Sequence, residues 1–406
     1  MLKIRKFTCE NLEKGCVTDV KLPHFSFSTE SDRPKAKLKE AKLSIGDWSK
    51  ETEAQVGICY GPALKPFTEY EAVLQVVDEA GERAEKHLSF ETGRMDTPWQ
   101  GKWISDGEYH FTEKKVSPVP MVFQKRFSLK KPVKQARIYA TAMGIYEISV
   151  NGKKAGEEYF APGFTSYQTR LQYQTYDVGA LLQEGKENEL LVTVAGGWAV
   201  GSFVFTRKNR VSADRQALLL ELRVVYEDGS SEVLGTDESW RVTEKGPVRE
   251  ADFYDGEVYD ATVDIEKADF RNAVEEKLKS KPTLFAAEGV PVKAHERMLP
   301  VGSHQTKEGI VYDFGQNFAG VIELTLEAKA GQVVTVHHAE ILKPDSTLHT
   351  EFLRTAKARV VYTCKEGKQS YSPKFTYMGF RYVCVEGIEA DKVEVSARAL
   401  YSDVKT

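Results

Sequence analysis

Apolar and polar positions alternate along most of this chain with a period of two. Ala136 to Val150, Ala217 to Tyr226, Val333 to His338 and Lys392 to Tyr401 follow this pattern, which puts successive side chains on opposite faces of a strand. Asn151-Gly152, Asp228-Gly229, Asp255-Gly256 and Ala330-Gly331 punctuate the runs as turn dipeptides. Helical periodicity is scarce. The spacing predicts a turn or two of helix near Val178 to Gln183 and another stretch over Asn272 to Ser280. An all-β chain of several sandwiches is the expected class.

The first module closes near Thr97. Its second half reads Leu64-Lys65-Pro66-Phe67-Thr68-Glu69-Tyr70, then a strand to Asp78, a turn at Glu79 to Gly81 and a closing strand to Phe90. That order suggests the tyrosine corner of immunoglobulin-type sandwiches, in which the phenol bonds back to the backbone upstream. Trp48 is expected in the core. Residues 1–97 are therefore read as a fibronectin type III-like domain serving as a spacer. Two further β-sandwiches are expected, over 98–295 and 296–406. The strand around Trp103 fits either, which leaves the middle module open to being an insertion in the third.

Composition narrows the function. A length of 406 residues with 41% hydrophobic and 29% charged residues is ordinary globular material. A net charge of -4 does not supply the concentrated basic face that nucleic acid requires. No apolar run reaches the length of a membrane span, and no apolar segment follows the basic residues of the N-terminus, so a cytoplasmic location is expected. The cysteines, Cys9, Cys16, Cys59, Cys364 and Cys384, are five in number with no Cys-x-x-Cys pair. Reduced thiols fit this better than a disulfide framework or zinc site.

Catalytic motifs are missing or false. Asp313-Phe314-Gly315 mimics a kinase signature, but the Gly-rich strand, the strand lysine and the His-Arg-Asp loop that a kinase needs are absent from the sequence. Asp313, Gln316 and Asn317 are better read as satisfying backbone groups at a strand crossing. His337 and His338 are neighbours on a strand and face opposite ways, so one is expected in the core and one at the surface. No Gly-x-Ser-x-Gly elbow or phosphate loop is present.

The middle module holds the richest candidates for ligand contact: Tyr159, Phe160, Tyr167, Arg170, Tyr173 and Tyr176, then Gly196-Gly197-Trp198, then the run Asp252 to Asp260 with Asp255 and Glu257. Aromatic faces beside acids and an arginine suit sugars, whose C–H faces stack while their hydroxyls take polar partners. Aromatics alternating on strands belong more often to a core, and Trp198, in a glycine loop, escapes that reading best. The candidate sugar contacts are Tyr167, Arg170, Tyr173, Trp198, Asp255 and Glu257. The acids also offer hard oxygens to calcium, but the spacing of a calcium loop is not met and no metal ligand is assigned.

Several of these segments together resemble the bacterial α-L-rhamnosidases. They are Met143 to Glu147 leading to Asn151-Gly152, Ala161 to Val178, Gly197-Trp198 and Gly256 to Ala261. They continue with Asp313 to Gly320, His338 to Leu342, Leu353 to Lys357 and Pro373 to Val383. The family usually has His where Met378 stands. The resemblance implies a galactose-binding-like or jelly-roll sandwich for the middle module and a concanavalin-like sandwich for the last. It also implies a helical barrel further on that carries an inverting hydrolysis, whose acid and base stand roughly 6.5 to 9.5 Å apart. No helical pattern remains here for that barrel, so no catalytic residue is carried onto this chain.

Two readings follow. In the first, the chain is the N-terminal, non-catalytic part of an enzyme removing terminal α-L-rhamnose. Its partners are then rhamnose-containing glycans or glycosides and the protein's own C-terminal catalytic domain, with no nucleic acid or membrane partner. Family members with a rhamnose-binding, calcium-assisted middle module imply weak sugar binding. In the second, it is a complete, non-enzymatic β-sandwich binding or adhesion protein.

Overall fold

The computed structural model describes residues 1–108, 117–202 and 206–404. The chain divides into two units: Met1–Trp99 with Leu284–Val290, and Gln100–Thr283 with Pro291–Thr406.

The first unit is a sandwich of two sheets. Leu2–Cys9, His24–Ser31 and Ile58–Cys59 form one. Val17–Thr18, Arg83–Thr92, Glu69–Asp78, Leu38–Ile45 and Trp48–Thr52 form the other, in that order. Alternation does what the pattern predicts: Ala72, Leu74 and Val76 turn inward along one strand and meet Phe7, Phe25 and Phe90. The Tyr70 hydroxyl accepts the Lys65 amide at 2.9 Å, which is the expected corner. Trp48 is half-buried rather than central. It packs edge-on against Tyr60 at 4.8 Å, because its strand is the outermost of its sheet and covers one face only.

The second unit begins with a two-sheet sandwich. Met121–Ser128, Ile145–Val150, Glu187–Ala195 and Arg241–Thr243 lie in one sheet. Val133–Met143, Arg170–Asp177 and Ala217–Tyr226 build the other. Phe123, Ile138, Ile148, Val192, Leu220 and the fully buried Trp240 fill the space between them. Ile104–Ser105 pairs with Leu218, which places the segment after Trp103 in this sandwich.

The remaining strands form one long sheet. Its order is Val248–Asp252, Gly256–Asp260, Arg359–Thr363, Val333–Ala339, Met378–Glu386, Ile310–Ala328, Val393–Ser402 and Val292–Met298. The sheets thus do not part between residues 295 and 296. Two strands from the middle of the chain join the last module, because Gly256–Asp260 pairs in parallel with Arg359–Thr363. The expected helix over Asn272 to Ser280 is absent: Arg271–Asn272 and Val274–Glu275 are short strands added to sheet edges. The stretch near Val178 keeps one 3₁₀ turn, Gly179–Leu181.

Asp313 to Gly320 lies within the strand Ile310–Ala328, at a register shift between Asp313 and Phe318 against Met378–Glu386. Asp313 accepts the Gly315 amide at 2.7 Å and a two-pronged bond from Arg381, both prongs 2.8 Å. Asn317 bonds the Glu340 side chain at 3.1 Å rather than backbone. His338 is buried and His337 half-buried against Glu386. Met378 is buried in the apolar core of this sheet.

Candidate functional site

The middle sandwich and the long sheet meet at the segment Asp252 to Asp260. Two strands and the turn between them carry it, and glycine is required at its second strand. Gly256 has φ +92, and a Cβ there would stand 1.7 Å from the Arg359 carbonyl oxygen. Only a bare backbone approaches that closely.

Its carboxylates point apart. Asp252 accepts the amides of Tyr254, Asp255 and Ser202 at 2.7, 3.2 and 2.8 Å and the Ser117 hydroxyl. Glu257 is 1% exposed and accepts the Tyr371 hydroxyl at 2.8 Å and the amides of Lys374 and Phe375 at 3.0 and 2.8 Å. Burial raises its pKa, and those three hydrogen bonds only partly offset the rise. Asp260 accepts the Thr262 amide at 3.0 Å. Among the described residues no three His, Cys, Asp or Glu side chains gather as metal ligands. Each of these acids closes a turn or loop.

Asp255 differs. Its Oδ2 pairs with Arg207 and lies 3.4 Å from Lys357. Its Oδ1 is buried and has no hydrogen-bond partner among the described residues. Arg207 also donates to the Thr355 carbonyl at 2.8 Å. This carboxylate is thus held by two cations with one buried oxygen left unpaired, an exception to the usual pairing of buried polar atoms.

On the same unit lies an aromatic surface. Trp198 is half-buried and packs at a tilt against Phe253, ring centroids 4.5 Å apart. Phe164, 61% exposed, meets Trp198 at 5.9 Å, and Tyr377, 38% exposed, meets Phe253 at 5.6 Å. Phe160 packs beneath Trp198, Phe253 and Tyr377. Trp198 is presented by the short helix Gly197–Val200. Gly197 has φ +50 and lies against Ile145, where a Cβ would come within 2.6 Å of the side chain, so the turn that projects the indole depends on glycine.

The six sequence candidates therefore separate. Trp198 lies on the aromatic surface and Asp255 beside its Phe253 strand turn. Arg170 is exposed at the start of its strand, its amide bonded to Ser166 at 2.9 Å. Tyr167, Tyr173 and Glu257 are each 1% exposed and cannot touch a sugar. Tyr167 donates to the Gly163 carbonyl at 2.7 Å, and Tyr173 packs edge-on against Tyr139. These two tyrosines are core: Tyr173 takes an inward position of the strand Arg170–Asp177, and Tyr167 is buried in the turn before it. Phe164, Tyr377, Arg207 and Lys357 were not among the candidates, and Phe253 only as a member of the run Asp252 to Asp260. They come from distant segments, and no spacing in the sequence announces their convergence.

With this geometry in hand, the chain can be set beside known proteins. Residues 4–96 match the Rha78A-like N-terminal immunoglobulin domain, residues 131–296 the α-L-rhamnosidase N-terminal domain, and residues 303–401 the bacterial α-L-rhamnosidase concanavalin-like domain. An α-L-rhamnosidase of Streptomyces avermitilis is 37% identical over 284 residues, which is 67% of this chain and 27% of that protein. One of Formosa agariphila is 30% identical over 324 residues, 75% of this chain and 34% of that protein. The crystal structure of the native Aspergillus terreus enzyme superposes with a TM-score of 0.90 at 27% identity, covering 100% of this chain and 50% of that one. The class these likenesses define is the β-sandwich portion of a glycoside hydrolase. More narrowly, the chain belongs to the α-L-rhamnosidase family and carries its immunoglobulin, N-terminal and concanavalin-like domains. It spans about a quarter to a third of the length of those curated relatives.

Proposed function

We propose that this chain is the non-catalytic β part of an α-L-rhamnosidase, a scaffold that supports hydrolysis of terminal α-L-rhamnosides performed elsewhere in the full protein. The observation that carries this reading is the ordered succession of three rhamnosidase domain matches from residue 4 to residue 401, none of which is the helical catalytic barrel. The polar motifs support it as well, since Asp252, Glu257 and Asp313 are spent on backbone amides and internal pairs rather than facing a cleft. Incubation of this chain with p-nitrophenyl α-L-rhamnoside is expected to release no nitrophenol above buffer. Turnover that survives repurification would overturn the assignment.

The same reading includes weak binding of rhamnosides on the aromatic surface. The 6-deoxy sugar has an apolar methyl and C–H face suited to Trp198 and Phe253. Titration with L-rhamnose by calorimetry, with and without calcium, is expected to show millimolar binding that Trp198→Ala removes while the circular dichroism spectrum is kept. Absence of heat at millimolar sugar leaves a scaffold alone. Tight binding without any rhamnosidase activity in the full-length protein would favour the non-enzymatic binding protein instead.

A further inference from the structure

Two rings of the aromatic surface carry a polar tip. Trp198 and Tyr377 both pack against Phe253, at centroid distances of 4.5 and 5.6 Å. Neither the Trp198 indole N–H nor the Tyr377 hydroxyl bonds another of the described residues. The Tyr377 ring is nonetheless held in place. Phe253 meets it edge-on, and Phe160 lies against it at 5.4 Å. Its backbone is pinned on both sides. The Phe375 amide donates to Glu257 at 2.8 Å, the Thr376 hydroxyl donates to the Asp252 carbonyl at 2.9 Å, and Met378 is buried in the core of the long sheet. Of the run Phe375 to Met378, only Tyr377 is exposed.

Packing accounts for the ring but not for its oxygen. Phe160, Phe164 and Phe253 make the same kind of aromatic contact with no polar atom. A phenol adds a group that both donates and accepts a hydrogen bond, which matches it to a sugar hydroxyl. A rigidly held side chain also gives up little freedom when a ligand arrives. The acids of the neighbouring turn do not compete for that role, since Asp252 and Glu257 are committed to amides and hydroxyls of the protein itself. Stacking on Trp198 and Phe253 reads only the apolar face of a sugar. Selection among sugars needs a fixed polar partner at its edge.

We propose that the Tyr377 hydroxyl is the specificity-determining contact of this surface, bonding one ring hydroxyl of a 6-deoxy pyranoside whose C–H face lies on Trp198 and Phe253. The assignment rests on the reading of the surface as a rhamnoside site and adds to it the group that chooses among sugars. Because the hydroxyl bonds nothing inside the protein, its removal separates recognition from folding. Tyr377→Phe keeps the ring and its contacts with Phe160 and Phe253 and deletes the oxygen alone.

The test is calorimetric titration of the whole chain with methyl α-L-rhamnopyranoside and its 2-, 3- and 4-deoxy analogues. Tyr377→Phe is expected to bind the rhamnoside about 3- to 10-fold more weakly, the loss of one net hydrogen bond, with its urea midpoint unchanged. One deoxy analogue is expected to show the same loss with the parent chain and no further loss with Tyr377→Phe, which marks a direct pair in a double-mutant cycle. Equal affinity of parent and Tyr377→Phe would overturn the assignment. So would losses that simply add for all three analogues, or a urea midpoint that falls together with the affinity. A parent chain that gives no heat with the rhamnoside at millimolar concentration refutes the rhamnoside reading of the surface, and the Tyr377 assignment falls with it.

Discussion

Glu257 offers the sharpest perturbation. Its carboxylate ties the strand Gly256–Asp260 to the loop that carries Lys374 and Phe375, through two backbone amides and the Tyr371 hydroxyl. Glu257→Ala leaves all three donors unpaired in a site that is 1% exposed in the native protein. At about 1–3 kcal/mol for each stranded buried donor, and with some relief from water entering the space left behind, the loss is about 3 to 6 kcal/mol. Glu257→Gln keeps the shape. Its oxygen can accept both amides while its NH₂ group faces Tyr371, whose oxygen then accepts, so a cost of about 1 kcal/mol or less is expected.

The pH dependence adds an independent check. Burial raises the folded-state pKa of Glu257 above its ordinary value of 4.5. A raised acid pKa means that the favourable contribution is complete below that ordinary value and is lost as pH rises through the folded value. Glutamine has no such titration. The stability of Glu257→Gln relative to the parent should therefore improve from pH 4 toward pH 7. Urea unfolding followed by tryptophan fluorescence measures both effects. An alanine variant within 1 kcal/mol of the parent, or a glutamine variant as unstable as alanine at pH 7, would refute the account of this carboxylate as the fastener of the junction.

Gly256→Ala should cost at least about 3 kcal/mol, since its Cβ has no room before the Arg359 carbonyl; thermal unfolding reads this directly, and a neutral variant would contradict the close approach. His338, its pKa lowered to about 4 by burial, stays neutral in the fold while the unfolded chain takes up a proton near pH 6.5. Stability present above 6.5 should fall by about 3 kcal/mol as pH drops to 4, and His338→Asn, which keeps a donor for the Ala358 carbonyl, should flatten that limb of the pH–stability curve. Tyr70→Phe removes the hydroxyl that accepts the Lys65 amide and should lower the urea midpoint of the N-terminal unit by an amount equivalent to about 1 kcal/mol.

Much of the fold was legible because strand alternation is local. The inward positions of Glu69–Asp78 can be marked from their side-chain pattern alone, and the Tyr70 corner from its turn residues. What could not be read is which strands pair across long separations. Nothing in Gly256–Asp260 says that it lies parallel to Arg359–Thr363, so a sheet that takes strands from both sides of residue 295 could not be drawn in advance. Asn272 to Ser280 has helix-tolerant residues, yet its backbone is captured by two sheet edges, where pairing overrides a weak local preference. The tyrosines were ambiguous for a related reason. Tyr167 and Tyr173 carry the same chemistry as an exposed sugar platform, and only the partner layer decides which face is covered.

The same reasoning explains why the acidic motif, the most chemical-looking part of the chain, is mostly architecture. Joining a sandwich to a second sheet exposes backbone amides at loops that cross between layers, and each buried amide needs an acceptor. Short acids supply it from the strands themselves: Asp252 for its own turn and for Ser202, Glu257 for Lys374 and Phe375. Asp255 breaks the pattern, with one oxygen left over next to two cations. Asp255→Asn weakens the hold on Arg207 and Lys357, so it should lower the urea midpoint of this unit while L-rhamnose binding on the aromatic surface is kept. If Asp255→Asn instead abolishes sugar binding in a protein that stays folded, this carboxylate takes part in the contact and is not only a structural acid.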